Sequence, residues 1–222
     1  MNPVKKILNN LFDFIWPQFC LGCNREGSLC CGYCLNDILL VEPKKITWPD
    51  SDDHYFDACF VCCEYQNKLV QKIVKQFKYS YLENLSTILV NILEKQARHL
   101  ALGRNTIITN VPLHPRKQKQ RGFDQTEILA KQLARQLNLS YSPLLKRTKA
   151  TKTQAQLSKI DRQKNVSGVF KALHTASANS GRGTEILLID DITTTGSTLN
   201  QAAKALKDAD YQKITCLVLA KN

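Results

Sequence analysis

The sequence predicts an α/β protein, a parallel sheet flanked by helices, with a small cysteine-rich module at its N-terminus. Three observations carry that prediction. Short apolar strands alternate with helical periodicity from residue 56 onward. The run Ile186-Leu-Leu-Ile-Asp-Asp-Ile-Thr-Thr-Thr-Gly-Ser-Thr198 passes from four apolar residues through two acids into a hydroxyl-rich turn. Two C-x-x-C pairs, Cys20/Cys23 and Cys31/Cys34, stand ahead of the first strand. Alternation of strands and helices is the pattern of a parallel sheet covered on both faces. At 222 residues and 43% hydrophobic, the chain is long enough for one good-sized domain with an appendage.

The elements follow in order. Val4, Ile7, Leu8, Leu11, Phe12 and Ile15 fall on one face of a helix, which Pro17 ends. Asn9, Asn10 and Asp13 interrupt the apolar residues there, so the segment is a poor signal peptide. No stretch reaches the ~18 apolar residues of a membrane-spanning helix. The protein is therefore expected to be cytoplasmic, with no stable membrane insertion. In the cytosol thiols stay reduced, which makes some of the nine cysteines metal ligands rather than disulfide partners. Each C-x-x-C turn aims two thiolates at one tetrahedral ion, and the short spacer brings both turns to the same ion. The expected site is a structural Zn²⁺ held by Cys20, Cys23, Cys31 and Cys34 in a zinc ribbon, with Gly22 and Gly32 relieving the tight turns. Cys30 competes with Cys31 for the third position, although it would make a C-x-x-x-C turn.

The module occupies residues 1–41, a polar, proline-punctuated linker 42–55, and the main domain 56–222. Within the main domain strands are expected at Phe56–Tyr65, Thr106–Val111, Glu185–Ile189 and Ile214–Leu219. Helices are expected at Leu69–Phe77, Leu82–Leu100, Asp124–Leu137 and Ser197–Ala209. Cys59 and Cys62 also have C-x-x-C spacing, but within an apolar strand they read as small buried hydrophobes.

Chemistry concentrates where the strand ending at Ile189 stops, because ligands of open parallel sheets bind outside the carboxyl ends of strands. Thr193, Thr194, Thr195, Gly196, Ser197 and Thr198 lead into a helix. Hydroxyls and backbone N–H groups there suit a phosphate, and the helix dipole favours the anion. The turn has neither the G-K-[ST] of a P-loop nor a G-x-G-x-x-G. Two carboxylates beside a phosphate would repel it unless they serve another group. Asp190 and Asp191 make sense as acceptors for ribose hydroxyls, directly or through Mg²⁺. They would also stabilise positive charge developing on an anomeric carbon, which is the catalytic role open to them.

Formal net charge is +12, and it is concentrated. From Asn110 to Asn165 thirteen Lys or Arg face three acids, a local balance of +10. Such clustering attracts polyanions and makes association salt-dependent. Arg116, Lys117, Lys119, Arg121, Lys149, Lys152 and Arg162 are the candidates for a nucleic-acid backbone. His114 is open to two readings, general base or a positional residue before Pro115, and the second is favoured.

The acid–threonine turn resembles that of type I phosphoribosyltransferases. With the cysteine pairs upstream, and Val111-Pro-Leu-His-Pro-Arg116 and Arg121-Gly-Phe-Asp-Gln125 between, the chain resembles the ComF/ComFC family of competence proteins. The resemblance runs from Cys20 to the C-terminus and includes Thr151, Gln154, Leu157, Arg162 and Asn165. One departure is Asp124, where that family usually has Asn; an acid in a loop meant for pyrophosphate argues against it as a donor. The resemblance implies a type I phosphoribosyltransferase fold that binds phosphoribosyl pyrophosphate with Mg²⁺. It places Arg116 and Arg121 on the pyrophosphate, and makes Lys146–Asn165 a hood loop over the site. It also implies a cytoplasmic factor that handles single-stranded DNA in natural transformation, alongside other DNA-uptake proteins. The alternative is an active enzyme moving ribose 5-phosphate to ammonia or another small nucleophile.

Overall fold

A computed structural model of the chain describes residues 18–38, 44–47, 54–79, 83–148, 168–176 and 183–222. The expected N-terminal helix, most of the linker, and the greater part of the hood loop with Lys149, Lys152 and Arg162 lie outside these residues. In chain order the elements are α1 (Gly32–Ile38), β1 (Lys44–Lys45), β2 (Ala58–Glu64), α2 (Lys68–Tyr79), α3 (Glu83–Ala97) and β3 (Thr106–Asn110). There follow α4 (Pro115–Arg121), α5 (Gln125–Leu137), β4 (Ser140–Tyr141), β5 (Leu145–Arg147), β6 (Phe170–Ala172), β7 (Glu185–Thr193), α6 (Ser197–Lys207) and β8 (Lys213–Lys221).

Six strands form one sheet in the order β1-β2-β8-β7-β3-β4, parallel except for the short edge strand β1. β5 and β6 pair antiparallel as a separate ribbon. Successive strand residues point to opposite faces, so a strand buried on both sides must be apolar at every position. β7 obeys this. Leu187 and Ile189 join the cluster containing α2, α3 and α5, whereas Ile186 and Leu188 join the cluster with α6 and the β5–β6 ribbon. All four are at most 1% exposed, and burying each contributes about 1.5–3 kcal/mol.

From β3 the chain departs toward β4 on one side, and from β7 toward β8 on the other. The sheet order therefore reverses between β3 and β7, and a crevice opens at their carboxyl ends. That switch point brings residues 111–113 beside Asp190 and Asp191, although they are distant in sequence.

Two expected elements come out differently. β7 does not stop at Ile189 but continues to Thr193, because β8 also extends and offers Val218, Ala220 and Lys221 as partners to Asp190, Ile192 and Thr193. The segment after β3 is a helix, not a loop. Pro115 takes the first position of α4, where its missing N–H costs nothing, and His114 caps it by accepting from the Arg116 N–H at 3.2 Å. His114 is thus positional.

Candidate functional site

The crevice encloses about 360 Å³, and its lining includes the acids Asp190 and Asp191, the hydroxyl of Thr198 and the cations Lys78, Lys117, Arg121 and Arg147. The two acids differ sharply. Asp190 is 8% exposed and accepts the Asp191 N–H at 2.8 Å. Burial, and then the charge of Asp191, pushes its carboxyl well above the ordinary aspartate range. Asp191 accepts the Ile192 N–H at 2.6 Å and pairs with the Lys78 ammonium at 2.7 Å. Alternation along the strand separates them: Asp191 pairs with Lys78 of α2, while Asp190 makes no ion pair among the described residues and lies in the fields of Lys78 and of Arg147 from β5.

Four cations surround these acids. Burial lowers the Lys117 ammonium, and the neighbouring charges of Arg147, Arg121 and Lys78 push it the same way. Burial also lowers Arg147. A protein that holds like charges this close leaves a field suited to a multiply charged anion. Lys78 and Arg147 carry no motif in the sequence. Each reaches the site only because a strand or helix end happens to stop there.

Helix phase decides which residues of α4 take part. Arg116 and Arg121 are five positions apart, about 140° around a helix, whereas Lys117 and Arg121 are four apart, about 40°. Accordingly Lys117 and Arg121 line the crevice, while Arg116 and Lys119 are exposed and do not. Arg121 Nη1 donates to Gln125 Oε1 at 2.8 Å, and Gln125 is fully buried.

The hydroxyl turn is shorter than the sequence suggests. Thr193 is buried in β7, where its carbonyl accepts the Asn222 N–H at 2.9 Å. Thr194 and Thr195 form the bend itself, and Thr195 and Ser197 share a hydrogen bond of 2.8 Å. Gly196 sits at φ 71°, a left-handed conformation that a side chain resists, and it leaves α6 without a side-chain cap. The first turn of α6 thus presents its N–H groups and its dipole beside Thr198 in the crevice.

Asp124 is not a donor but a hub. Oδ1 accepts the N–H groups of Thr126 (3.1 Å) and Glu127 (3.2 Å), capping α5, while Oδ2 accepts the Leu113 N–H at 2.7 Å. Thr126 Oγ1 lies 2.7 Å from both Asp124 Oδ1 and the Val111 carbonyl, and accepts from Asn110 Nδ2 at 3.2 Å. A carboxylate suits this position because both oxygens face donors, which explains the departure from asparagine. Asp124→Ala should cost about 2 kcal/mol through the lost cap and the stranded Leu113 N–H, or roughly 4–8 °C in thermal melting. An unchanged melting temperature would remove the hub.

At the other end of the chain Cys20, Cys23, Cys31 and Cys34 have Sγ atoms all within 4.8 Å of one another. Cys30 is apart from them, with its thiol toward the Cys31 carbonyl at 3.9 Å. The geometry therefore selects Cys31 over Cys30. Burial pushes the Cys20 thiol up, but backbone N–H groups of Cys23, Cys31 and Gly22 outweigh it and hold the thiol near 6. Burial and the crowding thiols drive Cys34 far the other way. Thiolates this close repel one another unless a cation joins them, so the donor set fits a thiophilic metal. Gly22 is needed here, since a Cβ would meet Cys34 Sγ at 2.9 Å; at Gly32 nothing lies within 4 Å, so that glycine relieves no crowding. The left-handed residue of the first turn is Asn24. The buried cysteines of β2, Cys59, Cys62 and Cys63, are packed as hydrophobes.

A larger cavity of about 500 Å³ lies near the start of β3, between Arg98, Arg104 and Leu137. No carboxylate lines it, so chemistry rather than size picks the crevice.

A family model of the phosphoribosyl transferase domain matches residues 125–222. Competence protein F of Haemophilus influenzae is 32% identical over 154 residues, 69% of this chain and 66% of that protein. The DNA utilization protein YhgH of Escherichia coli strain K12 is 30% identical over 139 residues, 60% of this chain and 59% of the relative. Competence protein ComFC of Bacillus subtilis is 32% identical over 108 residues, 46% of this chain and 39% of the relative. The chain thus aligns with about two thirds or less of the length of each.

Proposed function

Because the chain belongs to the ComF family and carries a type I phosphoribosyltransferase domain, we propose that it binds phosphoribosyl pyrophosphate with Mg²⁺, and single-stranded DNA, as a cytoplasmic factor in DNA uptake. The observation that carries the reading is the mixed lining of the crevice, where two acids of one strand share a surface with Lys78, Lys117, Arg121 and Arg147. A phosphorylated ribose needs both. The α6 N-terminus and Thr194–Thr198 suit the 5-phosphate, the acids suit ribose hydroxyls and a divalent ion, and the cations suit the pyrophosphate. Family relatives named for competence and DNA utilization support the DNA role, and α4 supplies exposed cations, Arg116 and Lys119, beside the crevice. Among the described residues no helix is long and apolar enough to cross a membrane.

Calorimetric titration with phosphoribosyl pyrophosphate and with a single strand, alone and in competition, tests both ligands. The logarithm of strand affinity should fall against log salt with a slope of about −0.7 per phosphate neutralised. A slope near zero would remove the backbone contacts. No heat from phosphoribosyl pyrophosphate with Mg²⁺ would remove the phosphoribosyl site.

A second reading, catalysis, is favoured by one feature: Asp190 and Asp191 stand beside the same crevice. There a nucleophile would attack the anomeric carbon as pyrophosphate leaves, and the acids would stabilise the developing positive charge. The cations would hold the leaving pyrophosphate. Pyrophosphate release with ammonia or another small acceptor distinguishes this reading from binding alone.

A further inference from the structure

We propose that Tyr79 and Arg121 form a stacking platform, at the rim of the crevice, for one unpaired base of a single-stranded nucleic acid. The inference rests on the single-strand reading above and assigns that ligand a base site. Tyr79 ends α2 and is 74% exposed, whereas Phe77, two residues earlier, is 1% exposed. Two positions turn a helix by about 200°, so a chain that buries Phe77 must send Tyr79 into solvent. A single exposed ring is ordinary on a protein surface; what sets this one apart is the cation beside it and the buried amide that holds both.

Arg121 frames this one, its guanidinium carbon 6.0 Å from the ring centroid. The arrangement is held from behind. Buried Gln125 accepts from Arg121 Nη1 at 2.8 Å and donates to the Lys78 carbonyl at 3.4 Å, the residue just before Tyr79. One amide therefore fixes both the cation and the helix end that carries the ring. Preformed contacts of this kind reduce the ordering cost of binding.

The neighbourhood favours nucleic acid over a protein partner. Every non-proline residue of α4 is a cation or an amide, Arg-Lys-Gln-Lys-Gln-Arg, with no acid and no apolar side chain. An apolar peptide would meet a single ring among cations and amides. A single strand offers a flat base to Tyr79 and phosphates to Arg116 and Lys119 at once, and duplex DNA hides its base faces.

The test uses the full chain and a short single strand carrying one 2-aminopurine, whose fluorescence is quenched by stacking. Wild type should quench it. Tyr79→Ala should lose the quench and weaken affinity roughly 5- to 150-fold, with an unchanged salt slope because no phosphate contact is removed. Tyr79→Phe should keep both quench and affinity. Lys119→Gln, which removes a phosphate contact, should lower the magnitude of the slope by about 0.7 and keep the quench. Unchanged binding by Tyr79→Ala, with wild type binding normally, would overturn the platform alone. A wild type that binds no strand would overturn the single-strand reading and the platform with it. If free adenine bound in a Tyr79-dependent way while the strand did not, the site would belong to an acceptor base and this assignment would fail.

Discussion

Replacing Cys23 with serine is expected to release a bound metal and to loosen the N-terminal module, while Cys30→Ser leaves both intact. The contrast follows from geometry: Cys23 shares the four-thiol cluster and Cys30 does not. With one ligand lost, three thiolates remain crowded and under-compensated. Structural zinc contributes about 10–16 kcal/mol in small peptides that have no other core. Here the effect on the whole protein should be smaller, because Cys20, Cys34 and Ile38 share a buried cluster with Leu69, Val70 and Ile73 of α2. A loss of ~3 kcal/mol or more would appear as ~6–12 °C in melting temperature. Metal content by atomic emission and exchange protection of residues 18–38 would read the two parts separately. A metal-free wild type, or a Cys30→Ser protein that sheds metal as readily, would refute the assignment.

The second large effect concerns the acid pair. At a thousandfold excess over Kd, phosphoribosyl pyrophosphate with Mg²⁺ should stabilise the wild type by ~4 kcal/mol, and Asp190→Asn with Asp191→Asn should abolish that shift. Asp190→Asn alone carries an opposite sign in the free protein. Its carboxyl is raised by burial, so the folded state keeps a proton that the unfolded chain releases above the ordinary aspartate value of 3.8. The folded state then binds more protons, and stability falls as pH rises through that window up to the raised value. Asn removes this penalty. The single variant should therefore melt higher than wild type at neutral pH, converge with it in acid, and respond less to ligand. Stability sacrificed at a binding site is what such a trade predicts. A variant that melts lower at every pH would mean that Asp190 is structural. Ligand stabilisation that survives the double replacement would put the ligand elsewhere.

Much of this was legible in the sequence because it is local. The cysteine spacing closes two turns within a few residues, and the acid–threonine turn joins the end of one strand to the start of one helix. Neither needs a distant partner to be recognised. The alternation of apolar runs likewise announced a sheet buried on both faces, as Ile186 to Ile189 demonstrate. The basic middle was visible as a charge count, but the count did not say which cations share a surface.

By itself the sequence determined the class of fold, the family, the thiol cluster and the acidic strand end, each encoded by neighbours in the chain. Tertiary structure alone decided the rest. β7 reaches Thr193 because β8 supplies partners that far, and hydrogen-bond pairing, not hydrophobicity, ends a strand. Lys117 rather than Arg116 joins Arg121 because α4 is a helix, so residues four apart share a face. Lys78 faces Asp191, 113 positions away in the chain, because α2 ends above the crevice. Charges separated so far along the chain meet only where packing sends them, and no spacing rule in the sequence records that meeting.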